Sequence, residues 1–512
     1  MALVLVCAVA FVLTGGYAVK MGIPVVDTLT YLELGRNLLQ GRGFVERFNF
    51  LHAWSGRADY PGMAYYNPLY GLVLGVLWQL LGNPGAAGVV ATALPCCLNA
   101  ALIAVIVRPA MGSLSAILSA IGFLLLPTTW VSLTMITAEH PALTIVLLCL
   151  LVMQRCTPRS RRGWLCVGGL LGLGYFVKVG IVTAVPGVIA AIVATQPGSL
   201  RQRVRAGRQP VLWVTAGMAL VIVPYVLLGK HSVGEIYPVY ARAYARWALA
   251  WQYGGHYVAD SPAVRPDPAR LPSVADRATN VLSNQWQMMR WSAGELGLLS
   301  VALVAGLVAA RDDVRRLAIL LLGVGASMAL GHAAALSWER MDPGWTARYA
   351  IYAAPLWYPV GVYGIVWLVG RVVRPSVASV VVVVLWVLVS LPGIVPRITK
   401  LASVPWMRPP RVVQLQQVAT LYARLVGPND LVALDTSTFT ACAAAFMDRP
   451  IVSLPFRAMD TPQSMREFVE IFHPTLVIPG TNRSSFEVLP SMGYAAKRMR
   501  ELGDVVVFLR TP

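Results

Sequence analysis

Apolar residues fall into long runs separated by short polar loops, the pattern of a chain that crosses a bilayer many times. After an apolar opening stretch, residues 1–22, the runs occupy residues 86–107, 113–130, 142–153, 164–176, 181–194, 211–228, 296–310, 317–336, 349–370 and 376–391. Several are shorter than the roughly 20 residues a helix needs to cross about 30 Å of hydrocarbon, so their ends are soft. Residues 1–22 lack a basic start and a clear small-residue cleavage site, and read as a retained first span rather than a signal peptide.

The polar loops orient these runs. Arginine collects at Arg108; at Arg155, Arg159, Arg161 and Arg162; at Arg201, Arg203, Arg205 and Arg208; at Arg311, Arg315 and Arg316; and at Arg371 and Arg374. Two runs separate each cluster from the next, so all five share one face, which the positive-inside bias makes cytoplasmic. Residues 67–82 (NPLYGLVLGVLWQLLG) would reach only about 24 Å as a helix, and letting them span would break this parity. They read as an interfacial or partly inserted helix. The expected fold is a polytopic α-helical membrane protein of about 11 transmembrane helices, amino terminus inside, with a small C-terminal extracytoplasmic α/β domain. Residues 1–395 form the membrane domain, with outer loops at 23–85 and 230–295, and residues 396–512 the outer one. In that tail the strand-like runs LVALD, PIVSLP, TLVIPG and DVVVFLR alternate with helix-like segments.

Composition agrees. Hydrophobic residues are 57% of the chain and charged ones 13%, with a mean hydropathy of +0.64. The net charge of +19 would suggest nucleic acid in a soluble protein, but most of the excess sits in loops between apolar runs, so membrane lipids are the expected surroundings and nucleic acid is not a partner. Six of the seven cysteines lie in or beside apolar runs with no C-x-x-C or Cys/His spacing, so neither a zinc site nor a disulfide framework is indicated. The tail has no G-x-G-x-x-G for a dinucleotide.

On this threading Asp27, Glu139, Lys178 and Arg348 all fall at the outer face. Each has a structural explanation of its own. Asp27 suits the N-cap of a helix, and Glu139, two residues before Pro141, suits a helix N-terminus. Lys178 suits a snorkelling cation at a span end, and Arg348 with Tyr349 an interfacial anchor. Their convergence is what suggests a site. Glu33, Arg36, His52, Asp59, His140 and Tyr349 are weaker candidates.

The run D-x-x-x-Y-L-x-x-x-R-N-L-L-x-G-R-G-F at 27–44, with Tyr60-Pro61 and NPLYGLVLG from Asn67, resembles the first outer loop of GT-C glycosyltransferases, nearest to the bacterial relatives of protein mannosyltransferases and aminoarabinose transferases. The stretch from Pro127 to Pro141, with Glu139 before the next apolar run, matches a second feature of that family, although many members of the nearest branch carry Asp there. Lys178 resembles the family's cation that faces the carrier phosphate, and Arg348-Tyr349 resembles its R-Y-x-x-x-x-x-P entry into a late span. The resemblance implies an enzyme that moves a sugar from a polyprenyl-phosphate donor to a hydroxyl of a glycan, lipid or protein at the outer face of the inner membrane. Asp27 is then the base or a metal contact. Glu139 orients the acceptor or shares a divalent cation with Asp27, and Lys178, Arg348, Tyr349 and His140 bind substrate. The competing reading is a transporter or flippase for lipid-linked or anionic substrates, against which the near absence of charge inside the apolar runs counts.

Overall fold

Proline and glycine cut the apolar runs into helices of unequal length. The computed structural model describes residues 26–43, 45–49, 60–61, 67–134, 137–233, 249–250, 255–257, 264–308, 311–337, 340–341, 343–402, 412–434, 446–454, 461–479, 484–500 and 505–511. The first apolar run, His52 and Asp59 lie outside them, as does the side chain of Asp27. The helices begin with α1 (Val26–Leu39), α2 (Pro68–Leu81), α3 (Pro84–Leu125), α4 (Pro127–Thr134), α5 (Glu139–Arg155), α6 (Arg161–Val177), α7 (Ala184–Ala194) and α8 (Leu200–Val233). They continue with α9 (Val274–Leu296), α10 (Leu299–Val308), α11 (Asp312–Ala335), α12 (Pro343–Ala350), α13 (Ala354–Val372), α14 (Pro375–Ala402), α15 (Val412–Ala423) and α16 (Pro462–Phe472). The chain divides into two units, one of residues 1–20, 89–225 and 276–407, the other of residues 21–88, 226–275 and 408–512.

The first unit is helical. Continuous α3 is two helices broken at Gly112, whose backbone (φ 84, ψ 168) leaves the helical region four residues after Arg108, where the charge pattern puts a loop. Gly297 (φ 57) separates α9 from α10, which meet at 91°. Among the described residues four helices are long and apolar enough to cross a membrane, and the bent α9–α10 pair makes a fifth. A count of 11 is not reached on this measure: α5 and α6 have 17 residues each and α10 has 10, below a full crossing length. Helices α8 and α14 turn apolar side chains outward, Leu220 at 68% exposure and Leu388 at 60%, as hydrocarbon-facing helices do. Inside, α10 and α13 cross on small residues: a Cβ on Gly364 would stand 1.8 Å from the carbonyl oxygen of Ala302.

The second unit combines helices with a six-stranded sheet. Its strands are β1 (Val45–Glu46), β2 (Phe48–Asn49), β3 (Tyr60–Pro61), β4 (Gly255–Tyr257), β5 (Val264–Pro266), β6 (Val432–Leu434), β7 (Ile451–Ser453), β8 (Leu476–Ile478), β9 (Tyr494–Met499) and β10 (Val505–Arg510). The large sheet runs β2-β7-β6-β8-β10-β9. Its first four strands are parallel, and the last two form an antiparallel hairpin. Alternation sorts the short strands: Ala433, Val452 and Val477 pack under Phe468 and Phe472 of α16, while Val432, Leu434, Ile451 and Leu476 pack under Val418 and Tyr422 of α15. Edge strand β2 comes from the first outer segment, not from the tail. Beside it, Arg36 and Arg42 reach the carboxylate of Asp448 at 3.2 and 2.7 Å, and Arg47 donates to the backbone oxygens of Asp448 and Pro428, both at 3.1 Å. Burial tends to raise the Asp448 carboxyl, but the hydrogen bond from Arg42 and the charges of Arg36, Arg42 and Arg47 hold it below the usual aspartate range. Helices α1 and α2 cross where Gly35, Gly71 and Gly75 let the backbones touch, so that a Cβ on Gly75 would lie 2.6 Å from the Gly35 oxygen.

Candidate functional site

Three helix ends of the first unit bring an ion cluster together. Glu139 opens α5, where the helix dipole favours a carboxylate. Lys178 closes α6 with an extended backbone (φ −157, ψ 124), its N–H donating to Gly174 O at 2.8 Å. The chain then tightens into a 3-10 turn, Val179–Thr183, before α7. Arg348 sits in the last turn of the eight-residue α12. Lys178 Nζ and Arg348 Nε both donate to Glu139 Oε1. Glu139 is fully buried, and the side chains of Arg348 and Lys178 are 5% and 13% exposed.

Aromatic rings back the cluster. Lys178 Nζ lies 5.4 Å and Arg348 Cζ 5.8 Å from the ring centre of Tyr349, so one aromatic ring serves both cations. Behind it His332 packs on Tyr349 at 4.7 Å and stacks on Tyr352 at 5.1 Å. His332 Nδ1 donates to Met328 O at 2.8 Å, fixing the ring, while Nε2 faces Gly180, where any Cβ would stand 2.7 Å from it. The triad carries one net positive charge. Pairing offsets the cost of removing these three charges from water, so losing one member weakens the others.

Of the residues singled out in the sequence, the fold gathers Glu139, Lys178, Arg348 and Tyr349. His140 is adjacent but turned into the packing: its Nε2 meets Thr129 O at 3.1 Å, and its own carbonyl accepts from Asn99 Nδ2 at 3.0 Å. Asp27 lies in the first turn of α1, in the second unit. Glu33 and Arg36 are in that unit too. Glu33 is buried and accepts the N–H of Arg47 at 2.8 Å, and Arg36 pairs with Asp448. Sequence reasoning missed two members of the scaffold. His332 stands alone in an apolar run, a position where a polar side chain is costly and therefore informative. Glu295, fully buried, accepts from the N–H and hydroxyl of Thr128 at 2.8 and 3.0 Å and from Trp291 Nε1 at 2.8 Å, anchoring the start of α4.

A divalent cation shared by Asp27 and Glu139 fits this arrangement poorly at the Glu139 end. That carboxylate already neutralises an ammonium and a guanidinium, and their charges oppose a further cation. No group of three His, Cys, Asp or Glu suited to a metal occurs among the described residues.

Residues 64–228 match the family model for dolichyl-phosphate-mannose-protein mannosyltransferases. The fold is similar over 99% of both chains to the crystal structure of ArnT from Cupriavidus metallidurans bound to undecaprenyl phosphate, with a TM-score of 0.58 at 14% identity. It is also similar to the oligosaccharyltransferase of Archaeoglobus fulgidus in complex with Zn and sulfate, over 94% of this chain and 68% of that one, with a TM-score of 0.53 at 10% identity. No curated protein matches the chain by sequence.

Proposed function

The chain has the fold of the GT-C glycosyltransferases, and from that premise we propose that it transfers a sugar from a polyprenyl-phosphate donor to a hydroxyl of a glycan, lipid or protein acceptor. The observation that carries this reading is the buried, net-positive cluster of Lys178, Arg348 and Glu139 at adjoining helix ends. Two cations fixed side by side on one carboxylate oxygen suit a phosphate, and Glu139 keeps both in place.

As the sugar leaves the carrier, negative charge grows on the departing phosphate. Fixed cations in a poorly solvated setting stabilise it without reorganising. Glu139 acts in this scheme through Lys178 and Arg348, and Tyr349 with His332 behind it sets their position. Asp27, assigned by its match to the family's first-loop motif, takes the proton of the acceptor hydroxyl. The site and the second unit are assigned to the outer face of the inner membrane, because the arginine-rich loops need the other face. The carbohydrate transferred is a hexose or a pentose.

The test is incubation of purified protein with a panel of polyprenyl-phosphate sugars, scored by mass spectrometry for transfer and donor hydrolysis. Asp27→Asn should abolish turnover and leave polyprenyl-phosphate binding largely intact. Lys178→Met should weaken that binding. Turnover retained by Asp27→Asn removes the base assignment, and a protein inert toward every donor removes the reading.

A further inference from the structure

At the opposite end of the α5–α6 hairpin from Glu139 and Lys178, the turn between the helices walls a cavity of about 600 Å³. Its polar side is arginine: Arg155, Arg159, Arg161 and Arg162 within eight residues. Its other side is apolar, from Leu151 and Val152 on the last turns of α5. The chain contains no Asp or Glu between Glu139 and Glu235, so this end of the hairpin has no acidic residue of its own. Arg161 lies over the ring of Trp213 at 5.9 Å. Neither Arg155, Arg159 nor Arg162 pairs with a carboxylate among the described residues.

The turn is built to keep this shape. Thr157 N donates to Ser160 Oγ at 3.0 Å, and Trp164 Nε1 donates to Thr157 O at 2.9 Å. Gly163 lets the turn close on Cys156, whose sulfur would lie 2.3 Å from any Cβ there. With the Ser160 hydroxyl turned to Thr157, α6 starts without a side-chain cap, and its first N–H groups add to the positive field. Orientation in the membrane accounts for arginines in a loop. It does not account for their lining a cavity with an apolar wall.

We propose that this cavity binds the phosphate headgroup of an anionic phospholipid, with the arginines on the phosphodiester and an acyl chain along Leu151 and Val152. Basic pockets between membrane helices on the positive face suit that ligand, and guanidinium pairs with phosphate through two parallel hydrogen bonds. The inference is independent of the catalytic proposal, since the site lies a helix length from Lys178.

Native mass spectrometry of the detergent-purified full chain tests it, with phosphatidylglycerol, phosphatidylcholine or inorganic phosphate added. Phosphatidylglycerol should be retained about tenfold better than phosphatidylcholine, and Arg159→Gln/Arg162→Gln should lose about that factor. Arg315→Gln/Arg316→Gln, in another basic loop, should leave retention unchanged, and millimolar phosphate should not displace the lipid. Arg155→Gln/Arg159→Gln replaces the first pair if size-exclusion chromatography shows it misfolded. Equal retention of the two lipids, an unaffected hairpin variant, or displacement by inorganic phosphate would each overturn the proposal.

Discussion

At the residue scale, the proposed chemistry depends on how one carboxylate is shared. Glu139→Gln keeps the shape but removes the charge that Lys178 and Arg348 share. It should destabilise the protein by about 3–5 kcal/mol, read as a lower thermal unfolding midpoint in detergent. Replacing the partners together, as Glu139→Gln/Lys178→Met, should cost less than the sum of the two single changes. Glu33 supplies a pH dependence. Burial pushes its carboxyl up to about 7, against the opposing pull of Arg36 and Arg47. The folded pKa lies above the unfolded one, so the contribution of Glu33 to stability is whole below about pH 4.5 and is lost as pH rises through about 7. Glu33→Gln keeps an acceptor for the Arg47 N–H, and should gain up to about 3 kcal/mol over the natural chain at pH 8 with no gain near pH 4, measured by thermal melts across that range. Glu139, Lys178 and Arg348 were individually legible, because each is a charge at the edge of an apolar run. Their pairing was not: Glu139 and Arg348 are 209 positions apart, and no local pattern records such a meeting. Likewise His332 carried the signal of a polar residue in an apolar run, but nothing near it in sequence points to Tyr349.

At the element scale, glycine sets how closely helices approach. Gly75→Ala would push a methyl into the α1 backbone at Gly35 and should cost about 1–3 kcal/mol, seen as a lower melting temperature and reduced recovery from the membrane. Gly169→Ala, where a Cβ meets nothing within 4 Å, is the matched control and should be near neutral. Breaks in the apolar pattern were readable where charge and glycine coincide, as at Arg108 and Gly112. The 3-10 turn after Lys178 was not. The apolar pattern separates residues 164–176 from 181–194, but the extended backbone that points Lys178 toward Glu139 depends on packing beyond the turn. The helix read at 67–82 is present as α2. It keeps Tyr70 and Leu74 buried and leaves Leu72, Val73, Val76 and Leu80 exposed, an apolar face suited to a bilayer surface.

At the scale of the whole molecule, the second unit is assembled from distant parts of the chain. The strand runs of the tail were legible from their β-branched composition, and β6, β7, β8 and β10 fall within them. Two-residue β2 carries no strand signal of its own, and it adopts that conformation because the edge of β7 offers backbone partners. Asp448→Ala removes the acceptor that Arg36 and Arg42 share, and should expose the chain around Arg42 and Arg47 to trypsin, shortening the half-life of the intact band several-fold. A chain ending at residue 402 retains Asp27, Glu139, Lys178 and Arg348 but lacks β6 to β10. It should be inactive, as measured in the donor panel, and a separately expressed tail should not restore it fully.

The link between Arg42 and Asp448 spans 406 positions, which imposes an order on biogenesis. A ribosome delivers the first outer segment early, and that segment then waits through nearly the whole of translation for its neighbouring strand to emerge. Until then the waiting stretch carries Arg36, Arg42 and Arg47 without the partners they have in the folded protein. A product terminated before residue 448 would leave the arginines at 36, 42 and 47 without the acceptors that the tail supplies.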